Sequence, residues 1–401
     1  MGEHGEKDGR GMEAVICDAS AFAVWRTPPL VRLLANPLFM GTRFGIPPER
    51  LIGFRGDLMQ ERSLWLLGPA EHVPGPAVSL EVGGGVLLSL RTLIASLEAP
   101  VDVLVDSRSE RRPSGLLRPH VMAPSLVEGE LRSLDGNLAL TSPALTLLQL
   151  ARTLSLPRLV AAASELCGTF ATYRAPASVA KLIEELNVGS GVPIVDGWVP
   201  AFDDDGRLTD VWSRPAPTTP AEIGALARRA TRRKGCRTLA RAAELVVPSA
   251  ASPFEAQVGM LLGLPPELGG EGLGGFAHNE PLALTGRARE IARQGSCRCD
   301  LFWAGEADRR PLDVECHSRT FHLGEPRRLS DADRALALQS MGVEVLFVTY
   351  AQIAGARRAD ALARTVAEKL GREVVPRTAE FLSARAALRR EVLVDFADLL
   401  A

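Results

Sequence analysis

Residues 312–322 read LDVECHSRTFH. The first six alternate, with Leu312, Val314 and Cys316 on one side and Asp313, Glu315 and His317 on the other. Period-two alternation predicts a β-strand with one apolar face. The polar face carries two acids and an imidazole, groups that a solvated strand face rarely needs together but that metal binding and proton transfer both use.

The preceding stretch extends the pattern. CRCDLFW at 297–303 predicts a second strand, with Cys297, Cys299, Leu301 and Trp303 on one face and Arg298 and Asp300 on the other. AGEADRRP at 304–311 reads as a hairpin-like connection, and pairing across it sets Asp300 beside Glu315. Two carboxylates on one sheet face suit Mg²⁺ or Mn²⁺, hard cations that take oxygen ligands. His317, two residues beyond Glu315, is placed to orient or deprotonate a water. The bland alternative is a strand of ordinary solvated acids with structural histidines at 317 and 322. Zinc is a weaker alternative. Cys297, Cys299, Cys316, His317 and His322 lie close in sequence, but C-x-C is not the C-x₂-C of structural zinc sites and alternation turns Cys316 away from His317. The cysteines read better as small core residues.

Working outward, SPFEAQVGMLLGL at 252–264 predicts a helix capped by Ser252 with Pro253 at its first position. The glycine-rich ELGGEGLGG at 267–275 reads as a flexible loop, and EPLALTG at 280–286 as a strand. SDADRALALQSMG predicts a helix closed by Gly342, GVEVLFVTY a short buried strand, and RADALARTVAEKLG a further helix. The order helix, three strands, helix, strand, helix is an α/β layout with a mixed sheet and helices on its faces.

Upstream, residues 221–246 predict a basic helix interrupted at Gly235. Arg228, Arg229, Arg232, Arg233 and Lys234, with Arg237 and Arg241, meet no acid before Glu244. They suit phosphate contacts, although a solvated helix face is the plain alternative. WSRPAPTTPAE at 212–222 reads as a linker between a domain at 13–211 and one at 223–401. In the first, VDVLVDS at 101–107 predicts a strand, TSPALTLLQLARTL at 141–154 a helix capped by Ser142, and LPRLVAAASELCGTF a second helix. Residues 1–12 read as a disordered tail without a signal-peptide apolar core.

The chain has 401 residues, 46% hydrophobic and 23% charged, with a formal net charge of −2. That charge excludes a general polycation, so any nucleic-acid partner must meet a local patch. No apolar run is long enough to span a membrane. Six scattered cysteines read as reduced thiols of a cytoplasmic protein.

The C-terminal motifs resemble the PD-(D/E)xK nuclease fold, in the branch related to very-short-patch repair endonucleases. Glu255 in SPFEAQ matches the acid on the leading helix, Asp300 in CDLFW the first metal ligand, and Glu315 in VECHSRTFH the second, with His322 as the later histidine. Asp331 and Arg334 match positions in the following helix. The resemblance covers roughly 235–372. It implies a restriction-endonuclease-like domain and a metal-dependent DNA endonuclease or nickase of defence or repair type, with Mg²⁺ or Mn²⁺ on Asp300 and Glu315. Glu255 would support that site, His317 assist the water, and His322, Asp331 and Arg334 position phosphate. His317 departs from the pattern, which has Lys there in the broad family and Asp in this branch. A non-catalytic antitoxin-like or nucleic-acid-binding module that keeps the nuclease fold is therefore the alternative. ICDASAF, PVDVLVDSRSERRPSGLLRPHV and LALTSPALTLLQLAR follow the order of the C-terminal domain of abortive-infection type IV antitoxins. That resemblance implies a toxin or other protein partner.

Overall fold

A computed structural model describes residues 14–36, 39–62, 93–135, 138–306, 308–317 and 325–400. The expected tail, His322 and most of the glycine-rich stretch at 78–97 lie outside the described residues. The chain divides into two compact units, one of residues 1–150 with 175–182 and one of 151–174 with 183–401. Both are mixed α/β, with sheets accompanied by helices.

In the first unit, β1 (Ala14–Ile16) leads into α1 (Asp18–Arg26), α2 (Pro29–Ala35) and α3 (Pro48–Glu61). β2 (Val101–Val105), β3 (Leu117–Val121), α4 (Pro124–Val127), β4 (Leu131–Asp135), β5 (Leu138–Thr141) and α5 (Pro143–Leu150) follow. The sheet order is β3-β2-β1-β5-β4, with β1 parallel to β5 and antiparallel to β2. Ile16, Val101, Val103, Leu138 and Leu140 meet Ala21 and Val24 of α1 in its core. Ser142 caps α5, its hydroxyl accepting from the Leu145 N–H at 3.1 Å.

The second unit opens with α6 (Leu156–Leu166) and β6 (Phe170–Thr172); the chain crosses between units within α7 (Ala177–Val188). β7 (Val199–Phe202) and β8 (Leu208–Ser213) complete an antiparallel sheet ordered β6-β8-β7. Helices α8 (Pro220–Arg229), α9 (Cys236–Leu245) and α10 (Pro253–Gly263) lead to β9 (Ala277–Ala283), α11 (Gly286–Ala292), β10 (Ser296–Trp303) and β11 (Leu312–His317). Then come α12 (Glu325–Ser340), β12 (Glu344–Thr349), α13 (Tyr350–Ala354), α14 (Ala356–Leu370) and α15 (Ala379–Val392). The four-stranded sheet runs β12-β11-β10-β9, with β9, β10 and β11 an antiparallel meander and β12 parallel to β11.

One side of this sheet (Leu301, Trp303, Leu312, Val314 and Val348) packs on Phe254, Val258 and Leu262 of α10 and on Val366 and Ala367 of α14. The other side packs Cys297, Cys299, Phe302 and Val345 on Ala288 of α11 and on Ala337 and Leu338 of α12. The expected face of β10 is thereby corrected. Cys297 and Cys299 lie on one side and Leu301 and Trp303 on the other. The exchange falls at Asp300, opposite Asn279, whose φ of +52° breaks the alternation of β9 at the same level.

Three further expectations change. The 212–222 segment, read as a linker, is exposed only in part. Trp212, Arg214 and Thr218 are buried in the second unit, where the Arg214 side chain donates to the carbonyls of Phe170 and Glu165 and its backbone N–H donates to the Thr169 carbonyl. The glycine-rich 267–275 stretch is closely packed: a Cβ on Gly270 would lie 2.0 Å from the Leu264 carbonyl oxygen, and Glu271 is buried against Arg377 and Arg385. β12 is an edge strand with Phe347 41% exposed, so burial covers only part of it. Among the described residues no helix is long and apolar enough to cross a membrane.

Candidate active site

The site begins at the start of α10. Ser252 caps the helix, and Glu255 returns its carboxylate to the same turn. It accepts from the Ser252 hydroxyl (2.9 Å), the Ala251 N–H (2.7 Å) and the Asn279 amide (3.0 Å). Asn279 also donates to the Ser249 carbonyl at 2.7 Å. The αL bend in β9 that switches the strand face thus aims an amide at the helix acid. Burial, and then the charge of Asp300, push the Glu255 carboxyl up to about 8 despite those donors.

Asp300 turns its carboxylate to the next strand and accepts from the Cys316 N–H at 2.7 Å. Its carbonyl meets Nδ1 of His278 at 3.0 Å. Burial lowers the His278 imidazole to about 4, so this ring is neutral at pH 7 and is a structural histidine. The Cys316 thiol is pushed well up, by burial first and then by Asp300, Glu255, Glu315 and Asp313.

On the side facing α12, Asp313 and Glu315 are 0% and 2% exposed. Arg334 of α12 pairs with Glu315 at 2.5 Å. Burial raises the Asp313 carboxyl to about 7, opposed by a hydrogen bond with Glu315. The Cys299 thiol also donates to this carboxyl. Asp313, Glu315 and the Cys299 thiol thus form one buried hydrogen-bonded group. Asp313 was visible in the alternation of 312–317 but has no counterpart among the matched motif positions. The Cys299 thiol, hydrogen-bonded to Cys297 and buried beside Asp313, is held well above its ordinary value. His317 packs its ring on Phe347, with centroids 4.8 Å apart.

The predicted residues are thus brought together unevenly. Glu255 and Asp300 are electrostatic neighbours, and Asp300 stands on the strand next to Glu315. Glu315 turns to Arg334, a residue expected on phosphate, and the guanidinium lies instead on the acid. Asp331 lies in α12, with its side chain outside the described residues, as is His322. Arg228, Arg229, Arg232, Arg233 and Lys234 are exposed at the end of α8 and in the turn before α9. Among the described residues no group of three or more His, Cys, Asp or Glu side chains is placed to hold a metal ion. The donor chemistry of Asp300, Asp313 and Glu315 fits a hard cation, since all are oxygen ligands.

A polar cluster that the motif reading did not isolate lies in the first unit. Asp102 of β2, nearly buried, accepts from Ser20 of α1 (3.2 Å) and meets Nε2 of His120 at 2.7 Å. Arg118 lies 3.4 Å from the same carboxylate, and Nδ1 of His120 is 3.8 Å from Asp18. Asp18 adopts φ +52° where β1 gives way to α1, with its N–H held by Gln149 at 2.9 Å. Three segments distant in sequence meet here, which pairwise contact alone reveals.

No family model, curated protein or solved structure matches the chain.

Proposed function

We propose that the four-stranded part of the second unit is a PD-(D/E)xK-type phosphodiester hydrolase acting on DNA, with Mg²⁺ or Mn²⁺ as its cofactor. The observation that carries this reading is the order of the acids on the fold. Glu255 opens the leading helix, Asp300 sits on the second meander strand next to it, and Glu315 sits on the third strand, beside a parallel fourth. Asp300 and Glu315 would hold the ion. A bound ion supplies Lewis-acid stabilisation of phosphoryl charge and a water of lowered pKa. Glu255 would support the site beside Asp300, and His317 is the nearby base or orienting group. In the first unit, the antitoxin-like reading and a toxin partner rest on the quoted motifs.

A second reading is favoured by one contact. Arg334 already neutralises Glu315, the acid that a metal would need. On that reading the chain is a nucleic-acid-binding or antitoxin-like module that has replaced the ion with a guanidinium, and His317 marks the lost position.

Cleavage of supercoiled plasmid with Mg²⁺ or Mn²⁺ separates the two. The hydrolase reading expects nicking or linearisation that disappears in Glu315→Gln, a swap that keeps size and removes charge. An inert wild type with an active His317→Asp variant identifies a decayed nuclease. Inactivity of both across metals and DNA forms removes the hydrolase reading.

A further inference from the structure

We propose that the turn between α8 and α9 is a docking surface for the phosphate backbone of duplex DNA, working without metal and independently of catalysis. Arg228, Arg229, Arg232, Arg233, Lys234 and Arg237 are all exposed, within ten residues. The flanking acids are Glu222 and Glu244, and Glu244 is engaged by Arg241 at 2.9 Å. The fold holds this cluster in a fixed shape. α8 ends at Arg229, Arg232 is left-handed at φ +68°, and Gly235 at φ +90° starts α9.

The placement opposes folding on its own terms. Arg237 stands in the first turn of α9, the end of a helix that disfavours cations, and Arg232, Arg233 and Lys234 are consecutive in the turn just before it. A solvated face would mix signs to relieve this. A polyanion relieves it instead.

The surface chemistry selects the polyanion. No exposed large hydrophobic side chain falls between residues 228 and 241, so an anchor for a lipid interface is missing from the patch. The same segment has no aromatic residue on which unpaired bases would stack. Cations without apolar or aromatic partners suit a regular phosphate backbone, which they grip without reading sequence. The patch also connects to the acid site. α9 runs roughly 15 Å from the basic turn, or about four phosphates of one strand. The loop after it carries Ser249 and Ala251, which bond Asn279 and Glu255.

The test is fluorescence anisotropy with a duplex of about 20 base pairs in EDTA, across a salt series. The full chain should bind with a steep salt dependence. Arg228/Arg229/Arg232/Arg233→Ala should lose at least about tenfold affinity, and its log–log salt slope should flatten by about 0.9 for each phosphate contact removed. The corresponding four-Lys variant should keep the slope. Should the Ala variant unfold, Arg232/Arg233→Gln in the turn gives the same reading without touching either helix. Unchanged affinity and slope in a folded variant overturn the proposal. So does tighter binding to single strands, or to vesicles containing phosphatidylserine, at equal ionic strength. Wild type and His317→Asp chains that bind the duplex but cut no DNA with Mg²⁺ or Mn²⁺ remove the hydrolase reading alone.

Discussion

Glu255 and Asp313 are carboxyls that the folded chain keeps protonated where an unfolded chain would not. Glu255 rises to about 8 and Asp313 to about 7, in both cases chiefly through burial. Between about pH 4.5 and pH 8 the native state therefore binds more protons than the unfolded state, so stability falls as pH rises through that window. Each pH unit inside it costs up to about 1.4 kcal/mol per group. Thermal unfolding from pH 5 to pH 8 should show a falling Tm, and Glu255→Gln should flatten the fall while keeping the acceptor for Ala251 and Asn279. A Tm that rises over this range would refute the protonated pair. Arg334 is the second residue whose removal has a definite sign. Glu315 is 2% exposed and Arg334 30%, so Arg334→Ala withdraws the guanidinium from a buried carboxylate. The expected loss is about 2–4 kcal/mol in urea unfolding. Adding Glu315→Gln should recover most of it. Equal losses in single and double variants would show that the pair is not what the helix contributes.

At the scale of elements, the sequence read well wherever one physical rule acted alone. The Ser-Pro starts of α5 and α10, the break at Gly235 and the alternation of β11 are local, and the structure places each as expected. β10 was misread because alternation assumes an unbroken pleat, and the bend comes from Asn279 on the neighbouring strand. The 267–275 loop was misread because its glycines look like freedom. They are there for space: Gly270 lies against the backbone of Leu264. The same reason applies in α10. A Cβ on Gly259 would sit 2.7 Å from Nε2 of the buried His278, and one on Gly263 2.8 Å from Phe276. Gly259→Ala gains roughly 1 kcal/mol of helix propensity. It pays about 1–3 kcal/mol for overpacking against rings with little room to move. A net loss of up to about 2 kcal/mol is expected on those two terms. Because His278 also holds the Asp300 carbonyl, near-ultraviolet circular dichroism of the Phe276–Trp303 contact should change with it. A stabilised variant with an unchanged spectrum would mean that the ring shifts freely.

Across the whole molecule, the boundary was the least legible feature. Prolines in WSRPAPTTPAE suggest a linker, yet the segment also anchors itself through the buried Trp212, Arg214 and Thr218. Nothing local shows that α6, fifty residues upstream of the basic helices, shares a core with them. Leu159, Val160 and Leu166 are buried in α6, which packs on α9, α10 and α15. Backbone bonds from Thr169 to Ala250 and from Ser249 to Cys167 tie its end to the loop that carries the site. A fragment of residues 223–401, cut where the sequence proposes, should therefore lack part of its own core. Losing the burial of Leu159 and Leu166 alone forgoes about 1.5–3 kcal/mol each, a large share of a typical stability of about 5–15 kcal/mol. A fragment of residues 151–401 keeps that core and the β6-β8-β7 sheet. Urea unfolding should be cooperative for 151–401 and broad or absent for 223–401. If 223–401 unfolds with the same midpoint and slope as 151–401, α6 adds nothing to the site's support, and the 212–222 boundary stands after all.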